Sequence, residues 1–411
     1  MTMPTHRDNG RRLVAAAAAL VAAFALAAGP VVAQTRGPEA LGFTKHFAVE
    51  ITNPSKLALE NHVLVIEVTD IRAAVAADFN TYMYALFDPA GGEYALVVSQ
   101  ADDLDKDRYH DQIVVVRTLP ASSTTRLLCY YTPERSFQLM PTQKAFARSG
   151  WQAGGAEAGW ESNLAAFKIT QGRIGFYAKL QPGIILKTFP AAEAKPQDWG
   201  GDVLDPGPSA GLGGLSVWDG ATRIPLFGTS APLPKVTVVA PGPVRALIKA
   251  EYPAVRTAAG EVTLTVFHSA FADNTYSRQD AVIAAKPGVP VVFGPGLQKL
   301  AGGTSSLDRT KGTFSVWGKG ADRAGEIGLA AIFAPADFAD IEDAALDRTV
   351  KLAGGAVRDD RAGRTLTYWL TGAWERGVTA PGVPAAKNWA RQVEDLAARL
   401  LVPVKVEFKS K

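Results

Sequence analysis

The sequence predicts a mainly β fold, a single large β-sandwich with few helices and one helix close to the C-terminus. Three observations carry that expectation. β-branched and aromatic residues alternate over short segments bounded by Gly, Pro, Asn and Asp, the signature of half-buried strands. Convincing helical periodicity is confined to one stretch near the end of the chain. Hydrophobic residues make up 47% of the 411 residues, which is enough for a sizeable core, and a single cysteine rules out a disulfide scaffold.

The strands follow in order. Residues 46–52, 63–68 and 81–87 alternate cleanly, and the last of these turns through Asp88, Pro89, Gly91 and Gly92 into 94–99 as a hairpin. Further strands are expected at 111–118, 125–131, 165–170, 172–179, 235–239, 244–252, 261–270, 277–284, 312–317, 327–333 and 364–371. Trp389, Val393, Leu396, Ala397 and Leu400 define an apolar stripe on a helix over 385–401. Pro403 stops it, and 404–408 resumes as a strand. A short second helix is expected over 335–345, with Pro335 in its first turn. No repeat of fixed period and no long linker interrupts the chain. Residues 34–411 therefore read as one large unit, either a single body or two packed lobes.

The first 33 residues read as a signal peptide. Arg11 and Arg12 precede an apolar, Ala-rich run over 13–28, and Val31, Val32 and Ala33 offer small residues for cleavage before Gln34. An uncleaved anchor is the alternative, and both Sec and twin-arginine export fit. A periplasmic or secreted location follows, with no membrane span once the signal is removed. The 43 basic and 40 acidic residues give a formal charge of +3, but cleavage would remove Arg7, Arg11, Arg12 and Asp8 and leave a nearly neutral chain. No basic stripe remains to attract a phosphate backbone, so nucleic acid is not an expected partner. Cys129 lies within an apolar run and reads as a small buried side chain.

The order of motifs from residue 47 to 408 resembles a secreted bacterial family, domain of unknown function 4861. The matching elements are Ile51-Thr-Asn-Pro54, the acidic loop from Asp102 to Asp107 with Asp111, Gly159-Trp-Glu-Ser162, Trp199-Gly-Gly-Asp202, Ser209 to Gly214, Gly242-Pro-Val-Arg245 and Trp317-Gly318. The resemblance implies a β-sandwich of the galactose-mutarotase-like supersandwich kind. It also implies an association with degradation of pectin and other uronate polysaccharides. Arg108, Asn163 and a missing histidine before Trp199 depart from the family pattern.

Glu161 and Asp202 stand beside Trp160 and Trp199, and carboxylates next to aromatic platforms suit a sugar site and glycoside hydrolysis. Uronate β-elimination instead asks for a cation to balance the carboxylate, a base and an acid. Arg245 and Arg278 are the candidate cations, with His268 or Tyr177 for the protons. Trp160, Trp199 and Arg278 are the candidate substrate contacts. Each also has a structural reading: His268 alternates with Leu264 and Val266 and would then be core, as would Tyr177.

Asp103, Asp105, Asp107 and Asp111 have the spacing of a loop that could hold Ca²⁺, although Arg108 replaces the turn glycine. No other cofactor is expected, since neither H-E-x-x-H, C-x-x-C nor a phosphate-binding loop occurs. Gly207-Pro-Ser-Ala-Gly211 matches G-x-S-x-G but lacks the strand and helix of a nucleophile elbow; it reads as a close-packed turn. His46 and His62 read as ordinary, and His110 as exposed. The sequence thus points to a carbohydrate-active protein cleaving an acidic poly- or oligosaccharide by lyase or hydrolase chemistry. The alternative is a non-catalytic glycan-binding or accessory protein; the scarcity of histidine counts against a sugar epimerase.

Overall fold

The structure is a computed structural model that describes residues 38–410 except 91–94, 134–141, 151–157, 189–197, 259, 287–290, 322–323, 354–355, 358–363 and 379–385. The expected signal peptide lies outside the described residues. Among the described residues no helix is long and apolar enough to cross a membrane.

The chain first builds a lobe of two antiparallel sheets from β1 (Lys45–Asn53), β2 (Leu59–Glu67), helix α1 (Val68–Ala74), β3 (Tyr84–Asp88), β4 (Ala95–Val97), β5 (Ser99–Asp102), β6 (Gln112–Leu119) and β7 (Ser123–Tyr131). One sheet runs β1–β7–β3–β4, with the last strand of the chain added beside β1, and the other runs β2–β6–β5. Alternation sends Val49, Ile51, Leu64, Ile66, Leu127 and Cys129 into a common interior, which buries the cysteine as expected. The sequence pattern extends a strand through Val68, yet the chain turns into α1 there and buries Val68 and Ile71. Seven residues hold too few helical turns for the period to stand out among β-branched neighbours.

Next, β8 (Ala145–Ser149), β9 (Ala158–Ser162), β10 (Ala165–Thr170), β11 (Arg173–Lys179) and β12 (Gly200–Asp202) form a five-stranded sheet in the order β12–β11–β10–β9–β8. The chain continues through β13 (Leu212–Asp219), β14 (Thr222–Pro225), β15 (Lys235–Pro241), β16 (Arg245–Thr257), β17 (Gly260–Phe271), β18 (Tyr276–Ala284) and β19 (Val292–Gln298). After these come β20 (Ala301–Asp308), β21 (Thr313–Lys319), β22 (Glu326–Phe333), β23 (Phe338–Asp343), β24 (Asp347–Ala353), β25 (Ala356–Val357) and β26 (Arg364–Trp374). Helix α2 (Ala386–Leu400) and β27 (Lys405–Lys409) end the chain.

A nine-stranded sheet, β15–β16–β17–β18–β26–β22–β21–β20 with β25 on β26, is the backbone of the molecule. Its inward residues share one large core with the β8–β12 sheet and the β14–β13–β19–β24–β23 sheet, which makes the sandwich. Its other face carries α2, whose Trp389, Val393 and Ala397 pack on Trp317, Ala330 and Ile332. Beside α2 the first lobe docks Val63, Val114 and Val116 against Val244, Phe271 and Tyr276.

The helix expected over 335–345 is not formed. Pro335–Asp337 makes one 3₁₀ turn and the chain then enters β23, whose Ile341 and Phe338 pack on the large core. The Gly-rich turn near Ser209 does bring backbone close to backbone. Gly211 has φ +65° and bridges Ile174, and a side chain there would strike the Ile174 carbonyl oxygen.

Candidate functional site

The motif residues around Trp160 fall on the β8–β12 sheet. Register sets Glu161, Ala166, Tyr177 and Asp202 side by side across β9 to β12. This row is largely closed. The Glu161 side chain is 0% exposed; Lys179 Nζ donates to its Oε2 at 2.5 Å, and the Leu186 amide donates to its Oε1 at 2.7 Å. Lys179 also donates to the carbonyls of Ser162 and Gly183, both at 2.6 Å. The pair thus fastens the segment after β11 over the sheet. Burial raises the Glu161 pKa and lowers that of Lys179, each opposed by the charge of the other.

Asp202 is more open, with 17% side-chain exposure, and is bound by Lys168. Lys168 also lies over the ring of Tyr177, 4.9 Å from its centroid, and Trp199 meets that ring edge-on at 6.3 Å. Burial raises the Asp202 pKa, against the opposing pull of Lys168, and raises the Tyr177 hydroxyl as well.

Three expected site residues belong to the core. Tyr177 is fully buried with Ala166, Ile185 and Leu186, so the expected proton-handling role is corrected to a core one. Trp160 is fully buried, stacks 5.7 Å from Phe167 and donates through Nε1 to Ser277 at 2.8 Å, so it offers no sugar platform. His268 is fully buried 5.1 Å from Trp160, and burial pushes its pKa down to about 4. The pleat explains why it cannot join the arginines. His268 pairs with Gln279 whereas Arg278 pairs with Ser269, so His268 and Arg278 leave the sheet on opposite faces. The expected groove containing Glu161, Asp202, Arg245 and His268 together is therefore corrected: sheet register distributes them among different faces.

The arginines line a cavity of about 350 Å³ between the first lobe and the nine-stranded sheet, and the connection from α2 to β27 contributes Val402 and Pro403 to its lining. Its walls include His62 and Glu67 of β2, Gln112 of β6, Arg245 of β16, Tyr276, Arg278 and Asp280 of β18, and Trp369 of β26. Arg245 is nearly buried and bound to Asp102, Nε to Oδ2 at 2.7 Å, while its Nη1 donates to Gln112 at 2.9 Å. Gln112 in turn donates to Glu67 at 2.8 Å. Gln100 accepts from the amides of Val244 and Arg245, which completes a polar seam between the lobes.

Arg278 is freer. Its side chain is 27% exposed, and it donates to Asp280 Oδ1 at 2.9 Å, an oxygen that also accepts from Thr367 at 2.6 Å. His62 faces the same space. Burial, with a smaller contribution from the Arg278 charge, lowers its pKa to about 4, so it is neutral at pH 7. Burial holds the Tyr276 hydroxyl well above its usual pKa, hence protonated. Sequence reasoning passed over His62, Tyr276 and Trp369, because only the packing of two distant segments brings them together.

In the acidic loop, carboxylate oxygens of Asp103, Asp105 and Asp111 lie within 4.8 Å of one another and could hold a cation. Asp107 is outside that group; its Oδ1 accepts from the Tyr109 amide at 2.7 Å. Arg108 adopts φ +78°, supplying the tight turn without glycine. The crowded negative charge adds to burial in raising the Asp111 pKa. His110 is half-buried rather than exposed, with Nδ1 2.9 Å from the Thr81 hydroxyl.

The fold and this geometry define a β-sandwich protein with a charged cleft where a second, smaller sandwich meets its main sheet. The chain belongs to the family described as domain of unknown function 4861, whose model matches residues 51–406. No curated protein matches the chain. Among solved structures it is similar to a protein in the glycosyl hydrolase family 38 from Enterococcus faecalis, with 9% identity and a TM-score of 0.48 over 89% of this chain and 48% of that one. It is also similar to an alpha-mannosidase from Enterococcus faecalis V583, with 8% identity and a TM-score of 0.42 over 89% of this chain and 46% of that one. The chain thus spans about half the length of these solved chains.

Proposed function

We propose that this is an exported carbohydrate-active protein that cleaves an acidic poly- or oligosaccharide in the interlobe cleft, by β-elimination rather than hydrolysis. The observation that carries the proposal is the grouping of Arg278, a neutral His62 and a protonated Tyr276 on the walls of one cavity. Arg278 would balance the uronate carboxylate and the charge that builds on it in the transition state. His62 would accept the proton from the carbon next to the carboxylate, and Tyr276 would protonate the departing glycosidic oxygen. A C–H and a C–O bond break, and a carbon–carbon double bond forms. Hydrolysis draws less support, since Asp280 is engaged by Arg278 and Thr367, and Glu67 by Gln112.

The test is incubation of the purified protein with pectic, uronate and neutral glycans, following unsaturated-uronate absorbance and new reducing ends together. Both signals should rise on a uronate glycan; reducing ends without the absorbance would reject elimination. A non-catalytic, glycan-binding role is the second reading, because Arg245 is committed to Asp102 and Gln112 in the seam between the lobes. Binding with neither signal would establish that role.

Two further parts of the proposal have their own tests. Export predicts a mature N-terminus at Gln34 in protein recovered outside the cytoplasm. Calcium at Asp103, Asp105 and Asp111 predicts a rise in Tm on adding CaCl₂ that Asp103→Asn removes and Asp107→Asn preserves.

A further inference from the structure

The nine-stranded sheet ends in an edge strand that its helix leaves uncovered. α2 rests on β21 and β22, where Trp389, Val393 and Ala397 pack on Trp317, Ala330 and Ile332. β20 lies beyond them at the sheet edge, and residues 301–306 are all exposed. Between helix and strand lies a cavity of about 570 Å³, within the roughly 300–1,000 Å³ of small-molecule sites.

Register builds its floor. Thr304 pairs with Trp317 and Ser306 with Ser315, so two cross-strand pairs present three hydroxyls and an indole on one face. Ser315 is only 4% exposed, lines the cavity and has no hydrogen-bond partner among the described residues. Buried hydroxyls are normally paired, and this one is left to be paired by whatever enters the cavity. The indole nitrogens are already engaged: Trp317 Nε1 donates to Glu326 at 3.0 Å and Trp389 Nε1 to the Leu329 carbonyl at 3.3 Å. What the two rings lend the cavity is therefore carbon surface.

The charges of the α2 wall balance. Glu394 accepts from Lys311 at 2.6 Å, and Arg391 and Asp395, one turn apart and both exposed, carry opposite signs. Neither an anion nor a cation finds a net charge to bind there. A purely apolar molecule would leave the Ser315 hydroxyl buried and unpaired. Hydroxyls that both donate and accept, set against carbon surface, match a ring that carries its own hydroxyls and C–H faces.

We propose that this groove is a second, non-catalytic binding site that takes a neutral sugar unit. Tyr276, Thr371, Ala330, Ser315 and Ser306 form one row across β18, β26, β22, β21 and β20. Ser315 thus lies three strands, or about 14 Å, from Tyr276 of the interlobe cleft on the same sheet face. α2, packed on Ala330, stands between them. The groove is separate from the cleft, and its occupation does not depend on the reaction there.

Calorimetric titration of the full chain with galactotetraose, xylotetraose and cellotetraose tests it, with trigalacturonate as the probe of the cleft. At least one neutral tetrasaccharide should bind, and Arg278→Ala should leave that binding unchanged. Ser306→Leu, at an exposed position of the edge strand, should abolish it at unchanged Tm by filling the floor. Ser315→Ala removes one hydroxyl and should weaken it roughly 5-fold. Neither serine substitution should alter the binding of trigalacturonate. Failure of all three neutral sugars to bind, neutral binding kept in both serine variants, or neutral binding lost with Arg278→Ala would overturn the proposal. Trigalacturonate that fails to bind while a neutral sugar does would reject the uronate reading of the cleft and leave the groove standing.

Discussion

The Glu161–Lys179 pair and the charged groups of the interlobe cleft differ in how completely the protein has closed them. On the β8–β12 sheet, Glu161 and Lys179 satisfy each other and four backbone groups with no exposed side-chain surface. In the interlobe cleft, Arg278 and Asp280 keep 27% and 26% of their side-chain surface. A carboxylate beside a tryptophan is therefore no guide by itself. Desolvation with full pairing marks a structural staple, while partial exposure beside a shaped cavity leaves charge available for a ligand.

The largest expected effect separates the two directly. Glu161→Ala strands the Lys179 ammonium in the core and should cost roughly 3–5 kcal/mol in urea denaturation. Replacing both residues by Leu and Met should recover much of that loss, because burying an ion pair is itself costly. If the double variant is stable but inactive, Glu161 has a catalytic part and the comparison fails. Arg278→Ala should behave in the opposite way. Stability should change by less than about 1 kcal/mol, while kcat/KM on a uronate glycan falls by roughly 10²–10³.

A slightly smaller effect concerns pH. His268 has a pKa of about 4 in the folded protein, below the 6.5 of an unperturbed histidine. The unfolded chain thus binds more protons between these values, so stability is complete above pH 6.5 and falls as pH drops toward 4. At ~1.4 kcal/mol per pKa unit the loss is roughly 3 kcal/mol. His62, lowered to about 4 as well, adds to the same slope, so His268→Leu should reduce but not abolish the loss in thermal melts at pH 4 to 7. His62 should in addition make itself felt in activity, with kcat/KM declining as it protonates near pH 4.

Much of the fold was legible because strands announce themselves locally. Residues 165–170 alternate as expected and form β10, and the stripe from Trp389 to Leu400 forms α2. Gly-rich strands were harder to read: β19 contains Gly294, Pro295 and Gly296, and β20 contains Gly302 and Gly303, which carry little β propensity of their own. The site was less legible still. Whether His268 could meet Arg278 depends on register across a turn, where a shift of one residue exchanges the faces. Whether His62 meets Arg278 depends on docking between segments more than 200 residues apart, for which no local pattern exists.

Asp202 stands between the two extremes and gives the smallest, most discriminating prediction. Its pair with Lys168 retains 15% and 17% side-chain exposure, and Tyr177 and Trp199 adjoin it. Asp202→Asn keeps the shape and a hydrogen-bond acceptor for Lys168 while removing the charge. If the pair is structural, stability should fall by no more than about 1 kcal/mol and kcat/KM should stay within a few-fold of the parent. A loss of ~100-fold with unchanged stability would place sugar chemistry on the β8–β12 sheet. The distinction between closed and open charge would then have to be drawn within that sheet, between Glu161 beneath its covering segment and Asp202 at its edge.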